Sequence, residues 1–300
     1  MYDCIVIGGG PAGLTAAIYL ARFHLAVRLY DRGGGRMASI PRTHNHAGFP
    51  GGIAGAELLE RMQAQADEFG VERVAEPVVG LTVDGDGFRV QAGAITQART
   101  VLLATGVRNR RPDMDRDEHD LAVERGLLRY CPICDGYEVT DRRVGVIGTG
   151  DHGMQEAIFL RGFTRDVTLI APGAAHDLDD DCIAKLDADD IVRVDGPCTP
   201  VRIDGDRLAV DTADGPMWFD SVYPALGSDI HSELAVGAGA EASDEGCLTV
   251  DSHQRTSVPG LFAAGDVVQG LDQISSAMGM AGVAATAIRN LLAEREPLRR

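Results

Sequence analysis

The most informative stretch for the fold lies close to the start of the chain and reads Asp3-Cys-Ile-Val-Ile-Gly8-Gly-Gly10-Pro-Ala-Gly13. An apolar, β-branched run leads here into a turn with three spaced glycines, and residues 14–23 then predict a helix. A second apolar run, Ala-Val-Arg-Leu-Tyr-Asp, follows at residues 26–31. Strand, glycine turn, helix and strand in this order predict an α/β domain with a parallel sheet and a site for a dinucleotide.

Each glycine of the turn has its own expected task. Gly8 permits the tight turn, Gly10 lets the backbone approach a pyrophosphate, and Gly13 lets the helix pack closely on the strand. The helix then directs N–H groups and a partial positive charge at the phosphates. Asp31, at the end of the second strand, is placed to accept hydrogen bonds from the ribose hydroxyls of adenosine.

The same pattern occurs a second time in the middle of the chain. Residues 143–160 read Arg-Val-Gly-Val-Ile-Gly-Thr-Gly-Asp-His-Gly-Met-Gln-Glu-Ala-Ile-Phe-Leu, and residues 166–170 supply the next strand. Two such units predict two dinucleotide-binding domains, the second inserted in the first. The candidate residues of this second dinucleotide site are Gly148, Gly150, Asp151, His152 and Gly153.

Length and charge narrow the class of protein. Three hundred residues are more than one small domain needs, which favours two cores. The formal net charge of −17 repels phosphate backbones and anionic lipid headgroups, so neither nucleic acid nor a membrane surface is an expected partner. Because no apolar run reaches the ~20 residues of a membrane helix, we expect a soluble, cytoplasmic protein.

The order of these features resembles the low-molecular-weight thioredoxin reductase family. After the first glycine turn come Asn45 before Gly48-Phe-Pro50, a predicted helix over 58–70 and Ala104-Thr-Gly106. Cys131-Pro-Ile-Cys134-Asp135-Gly precedes the second glycine turn, and Gly265-Asp266 with Gln273 ends the series. The resemblance covers nearly the whole chain, and several motifs in the same order are far more specific than a single motif.

The resemblance implies an α/β fold with two Rossmann-like domains and, as in most members, a homodimer. An FAD-binding domain would span residues 1–112 and 246–300, and an inserted NAD(P)-binding-like domain with the cysteine pair would span 113–245. Residues matching Gly265 and Asp266 hold the ribityl and phosphate region in that family, while Asn45 and Gln273 match residues at the isoalloxazine. The candidate FAD-binding residues are Gly8, Gly10, Pro11, Ala12, Gly13, Asp31, Asn45, Ala104, Thr105, Gly106, Gly265, Asp266, Gln273 and Ile274.

Cys131 and Cys134 are the candidate redox pair. Two thiols separated by two residues fit one helical turn, so a disulfide can close and reopen without large backbone movement, and Pro132 suits the first turn of a helix. Asp135 matches the family residue that moves a proton during exchange. A zinc site would need a second ligand pair at suitable spacing, and the other four cysteines are scattered, so we expect no metal.

The resemblance breaks after the second strand of the inserted domain. NADPH-using members carry a His-Arg-Arg run and a later arginine there, because guanidinium groups grip the 2′-phosphate. This chain has Ala171-Pro172-Gly173 and then Asp177 in an acidic stretch, which repels a 2′-phosphate. No acidic residue that would favour NADH closes the strand either. In addition, Asp272 stands where the family has a basic residue before Gln273.

Several readings of the electron path remain open. The inserted domain could bind NADPH or NADH through other contacts, bind a second flavin, or be vestigial, with a protein donor such as ferredoxin reducing FAD. The pair would then reduce a thioredoxin-like protein or another disulfide substrate, the direction that the Cys-Asp-Gly context favours. The alternatives are an oxygen-dependent oxidase of small dithiols and a non-catalytic flavin redox sensor, which has no visible effector segment.

Overall fold

The computed structural model describes residues 1–298. In chain order its elements are β1 (Tyr2–Ile7), α1 (Pro11–Arg22), β2 (Val27–Tyr30), α2 (Gly55–Glu68), β3 (Glu72–Val74), β4 (Gly80–Asp84), β5 (Gly87–Ala92), β6 (Ala94–Leu103), β7 (Val107–Asn109), α3 (Arg116–Glu124), α4 (Pro132–Asp135), β8 (Val144–Ile147), α5 (Gly150–Arg161), β9 (Val167–Ile170), α6 (Asp180–Ala188), β10 (Val192–Val194), β11 (Val201–Asp204), β12 (Arg207–Thr212), β13 (Gly215–Phe219), β14 (Ser221–Pro224), β15 (Ser228–Ile230), α7 (Glu233–Gly237), β16 (Leu261–Ala263) and α8 (Ile274–Arg295). Short 3-10 helices span Arg36–Ser39 and Gly136–Val139.

The chain divides into two compact units. The first contains Met1–Ser39, Ala54–Arg108 and the residues from Ile230 onwards, and the second contains Ile40–Ile53 and Asn109–Asp229. The domain boundaries expected from the family, which assign each part to a cofactor, stay a prediction.

The first unit is built on one large sheet. Its strands lie in the order β3-β2-β1-β6-β5-β4, and β16 pairs with β6. Strands β1, β2, β3, β6 and β16 pair in parallel, whereas β4, β5 and β6 pair antiparallel. The buried core against this sheet includes Ile5, Leu103, Phe88 and Leu261. Because β1 lies centrally, the turn that follows it opens at the carboxyl edge of the parallel strands, where ligands bind in such sheets.

The second unit has a four-stranded parallel sheet in the order β10-β9-β8-β14 and a three-stranded antiparallel sheet, β11-β12-β13. The strands β8, β9 and β14 are buried at every position, which agrees with their continuous apolar sequence. Val146, Leu169, Met154 and Tyr223 belong to the core on one side. The parallel strands in the main sheet of each unit, together with the helices that follow them, confirm the predicted α/β class.

Helix ends differ in detail from the expectation. The helix predicted over 58–70 begins at Gly55 and ends at Glu68, because Gly70 adopts a left-handed conformation with φ of 71°. The last helix, α8, starts at Ile274 and continues to Arg295. Among residues 1–298, no helix is long and apolar enough to cross a bilayer.

Candidate active site and cofactor site

The first glycine turn lies between the ends of β1 and β6 and the start of α1. The Gly8 N–H donates a hydrogen bond to Tyr30 O at 2.8 Å. A side chain on Gly8, whose φ is 110°, would meet Ala104 O at 2.2 Å, and one on Gly13 would meet Gly8 O at 1.8 Å. The first and third glycines are therefore required by close backbone packing.

Gly10 differs from these two glycines. Apart from its neighbours in the chain, a Cβ atom built on it would have no heavy atom of the described residues within 4 Å, and Gly10, as the N-cap of the twelve-residue helix α1, provides no side-chain cap. The turn therefore leaves open space at a helix N-terminus, which is the combination that a pyrophosphate needs.

Two other predicted flavin residues, Asp31 and Gly265, lie at the same turn. The Asp31 carboxylate lies beside Gly9, because a Cβ there would be 2.5 Å from Oδ2. Gly265 has φ of 80° and packs against Ala12, the second residue of α1. A Cβ atom built on Gly265 would lie 3.0 Å from the Cβ of Ala12. Pro11 and Ile274 are the first residues of α1 and α8, and Gln273 directly precedes α8. All of these residues belong to the first unit.

The segment after β6 continues this edge of the sheet. The Thr105 hydroxyl donates to His231 O at 2.5 Å, and the His231 N–H donates to Gly106 O at 3.1 Å. Asn45 is the exception among the predicted flavin residues, because it belongs to the second unit. Its Nδ2 donates to Ile133 O at 3.5 Å. The role of Asn45 at the isoalloxazine stays a prediction.

Arg36 is a residue that sequence inspection missed. Its Nη2 forms ion pairs with Asp266 Oδ2 at 2.7 Å and with Asp272 Oδ2 at 3.1 Å. Burial and the neighbouring Asp266 raise the pKa of Asp272, while Arg36 lowers it. Arg36 thus supplies a positive charge beside Asp272, which stands where the family has a basic residue.

Cys131 and Cys134 form a disulfide, with Cα atoms 5.2 Å apart, at the start of α4. The Cys134 N–H donates to Cys131 Sγ at 3.1 Å and to Cys131 O at 2.9 Å. Both cysteines are partly exposed. The pair predicted from the C-x-x-C spacing is therefore close enough to bond and open to a partner.

Asp135, the last residue of α4, is largely buried next to this pair. Its Oδ2 accepts from Arg129 Nη1 at 2.9 Å, and its Oδ1 accepts from the Tyr223 hydroxyl at 3.0 Å. Burial raises the pKa of Asp135, as does the charge of Glu138, whereas Arg129 and Tyr223 lower it. No motif flagged Arg129 or Tyr223, since their contacts with Asp135 exist only in the folded unit.

The second glycine turn repeats the packing of the first. A side chain on Gly153 would meet Gly148 C at 2.8 Å, so helix α5 lies tightly on β8. Gly150 has φ of 62°, and Asp151 is exposed in the first turn of α5. His152 Nε2 lies 3.4 Å from Glu156 Oε1, one helical turn away.

The loop after β9 lies against this turn. The Asp177 N–H donates to Thr149 Oγ1 at 2.6 Å, and Asp177 O is 3.6 Å from the position of a Cβ on Gly150. The His176 N–H donates to Asp195 Oδ1 at 3.2 Å. Within residues 1–298 no group of three or more His, Cys, Asp or Glu side chains could hold a metal ion.

Comparison with known proteins supports one family. Residues 2–281 match the pyridine nucleotide-disulphide oxidoreductase family. A thioredoxin reductase from Streptomyces clavuligerus is 33% identical over 280 residues, covering 89% of this chain and 86% of that protein. One from Listeria monocytogenes is 33% identical over 303 residues, covering 95% and 92%.

A solved structure agrees. The thioredoxin reductase from Streptococcus pyogenes superposes with a TM-score of 0.89 at 31% identity, over 98% of this chain and 99% of that one. This similarity confirms the predicted pair of Rossmann-like domains. The chain therefore belongs to the pyridine nucleotide-disulphide oxidoreductase family, among the low-molecular-weight thioredoxin reductases, and is a flavin-dependent disulfide oxidoreductase.

Proposed function

We propose that the protein passes electrons between FAD and the disulfide of a thioredoxin-like protein through Cys131 and Cys134, as a cytoplasmic homodimer. The observation that carries this proposal is the partly exposed Cys131–Cys134 disulfide followed at once by the carboxylate of Asp135, most of whose surface is covered. The names of the related proteins, thioredoxin reductases, support the choice of partner.

FAD fits the first unit. The pyrophosphate would lie over Gly10 and the free N-terminus of α1, and Asp31 would accept hydrogen bonds from ribose. Asp266, Gln273 and Ile274 would hold the ribityl and flavin portions, with Ala104, Thr105 and Gly106 at the adjoining edge. When bound, FAD supplies a centre that takes and returns two electrons.

The cysteine chemistry follows from ordinary thiol exchange. In the reduced pair, the Cys134 N–H stabilises a thiolate at Cys131, which attacks one sulfur of the partner disulfide. A mixed disulfide forms, and the leaving thiolate takes up a proton. Cys134 then gives its proton to Asp135 and attacks Cys131 Sγ, which closes the intramolecular disulfide and releases the second sulfur of the partner as a thiolate. Asp135 returns the proton to this thiolate, so the partner leaves as a dithiol. The partner has gained two electrons from the pair and two protons, one through Asp135 and one taken up from solvent by the first leaving thiolate.

We further propose that the inserted unit binds NADPH weakly or not at all. Its turn at Gly148, Gly150 and Gly153 is suited to a pyrophosphate, but the loop beside it presents Asp177 and no arginine. Reduction would then come from NADH, from a protein donor such as ferredoxin, or through a second flavin in this unit. The same loop favours a second candidate function, in which the pair oxidises small dithiols and oxygen reoxidises the flavin.

One experiment separates these functions. The purified protein is denatured to count released flavin per chain, and the holoprotein is mixed anaerobically with NADPH or NADH while flavin absorbance is followed. Fast bleaching by NADPH would overturn the proposal about the loop. Two flavins per chain would support a second flavin.

A second experiment measures thiol–disulfide exchange by Cys131 and Cys134 directly. The holoprotein, reduced by dithionite, should reduce oxidised thioredoxin in stoichiometric amount. Consumption of dithiothreitol with oxygen uptake, but no thioredoxin reduction, would favour the oxidase. Failure of both reactions would overturn the proposed exchange function and leave a redox sensor.

A further inference from the structure

We propose that Arg129 and Tyr223 are positioning residues that hold the Asp135 carboxylate as the proton-transfer group of the cysteine pair. The inference deepens the proposed exchange function and rests on it. It assigns a task to two side chains outside the C-x-x-C-D motif.

The two oxygens of Asp135 are held by side chains from two segments of the second unit that are far apart in the sequence. Arg129 precedes the cysteine pair and reaches Oδ2, whereas Tyr223 comes from the buried strand β14 and reaches Oδ1. The Tyr223 hydroxyl also lies 3.2 Å from Asp135 O. Since Tyr223 is fully buried, its hydroxyl has little freedom to turn away.

Arg129 is itself fixed by several contacts. Its backbone N–H donates to Val222 O at 2.9 Å, and its Nε donates to Gly126 O at 2.9 Å. The Ser221 hydroxyl also donates to Gly126 O, at 2.8 Å. A side chain on Gly126 would meet Arg129 Nη2 at 2.6 Å, so this glycine gives the guanidinium its space. Such a held guanidinium is suited to orienting a carboxylate.

The charges around Asp135 oppose one another. Burial favours the neutral carboxyl, and Glu138, in the following 3-10 helix, acts in the same direction. Among the described residues, the buried Oε2 of Glu138 has no hydrogen-bond partner. Arg129 and Tyr223 favour the charged form, so they let Asp135 accept the proton that a cysteine must release.

The test uses the reduced holoprotein and measures the rate of iodoacetamide alkylation of Cys131 and Cys134 against pH, by mass spectrometry. Arg129→Gln removes a positive charge near Asp135 and the pair. We expect the pH midpoint of alkylation to rise by about 1 unit, the lower end of the effect of a close opposite charge. Arg129→Lys keeps the positive charge, so its midpoint should lie close to that of the unmodified protein.

The other variants test the sign and the origin of the effect. Tyr223→Phe should raise the midpoint by less than Arg129→Gln does, and Glu138→Gln should lower it. Arg125→Gln is the matched control, because Arg125 contacts Gly205 and Asp206 rather than Asp135, and its midpoint should equal that of the unmodified protein.

Equal midpoints in Arg129→Gln and Arg125→Gln would overturn the inference. If Arg129→Gln fails to fold, a Tyr223→Phe midpoint equal to that of the unmodified protein would do the same. Alkylation is independent of any partner protein, so the shift can be present even when thioredoxin is not reduced. Failure of the exchange function and failure of this positioning are therefore distinguishable.

Discussion

The Asp177 N–H donates a hydrogen bond to Thr149 Oγ1 at 2.6 Å, and this contact ties the loop after β9 to the second glycine turn. Thr149 is the residue before α5, the helix whose N-terminus would face a pyrophosphate. The loop that should select the nucleotide therefore brings an acidic residue to the turn. We therefore expect the negative charge of Asp177 to disfavour an anionic 2′-phosphate there.

Asp177→Arg should consequently improve NADPH binding. The backbone contact to Thr149 survives the substitution, while the side chain changes from repelling to attracting a phosphate. We expect the Kd for NADPH to fall about tenfold or more, since hydrogen bonds to charged groups contribute about 1.5–3 kcal/mol, and the Kd for NADH to change little. Calorimetric titration with both nucleotides is the measurement. Asp206→Arg, the same change at the fully exposed β11-β12 turn, should alter neither Kd.

Gly10→Ala and Gly13→Ala should separate flavin binding from folding. A methyl group on Gly10 has free space in the protein but enters the proposed pyrophosphate position. One on Gly13 collides with Gly8 O, a backbone atom that can move only if the helix moves. Flavin content should fall in both variants, whereas the Tm of the flavin-free protein should fall only in Gly13→Ala. Full flavin content in Gly10→Ala would contradict the proposed cofactor position.

Cys134→Ser should abolish disulfide exchange. The variant cannot close the Cys131–Cys134 bond, so a mixed disulfide with the partner would accumulate and turnover would stop after one event. Flavin absorbance should remain, because the cysteines lie outside the glycine turn. Cys247→Ser, at a free cysteine, is the control and should turn over normally. Unaltered turnover in Cys134→Ser would exclude the mechanism.

Glu156→Gln should give a protein whose free energy of unfolding exceeds that of the unmodified protein at high pH. Burial raises the pKa of Glu156 from 4.5 to about 7, so the folded state holds a proton that the unfolded state has already lost. The stabilising contribution of the neutral carboxyl is complete below pH 4.5 and is lost as the pH rises through 7. Glutamine does not ionise, so the variant does not lose this stability as the pH rises.

At pH 8 the variant should therefore exceed the unmodified protein by about 1–3 kcal/mol, with a much smaller difference at pH 5. Denaturant unfolding at both values of pH measures it. A difference that does not change with pH would refute the assignment to Glu156.

The sequence alone determined the α/β class, the two glycine turns and the cysteine pair. Each depends on local pattern: apolar runs with β-branched residues, glycines at fixed spacing, and two thiols one helical turn apart. Gly13 could be named in advance because its packing partner, Gly8 O, lies in the same strand–turn–helix unit, whereas Gly8 was identified by its place in the motif and packs against Ala104, which follows β6. The acidic loop at Asp177 could likewise be seen, since charge is a property of composition.

Which distant side chains meet became visible only in the folded chain. Arg36 reaches Asp266 and Asp272 across more than two hundred residues of sequence, and Tyr223 reaches Asp135 from β14. Glu156 carries no motif, and only its burial raises its pKa. Such pairings depend on the register and packing of strands far apart in the chain, and local residue patterns hold no information about them.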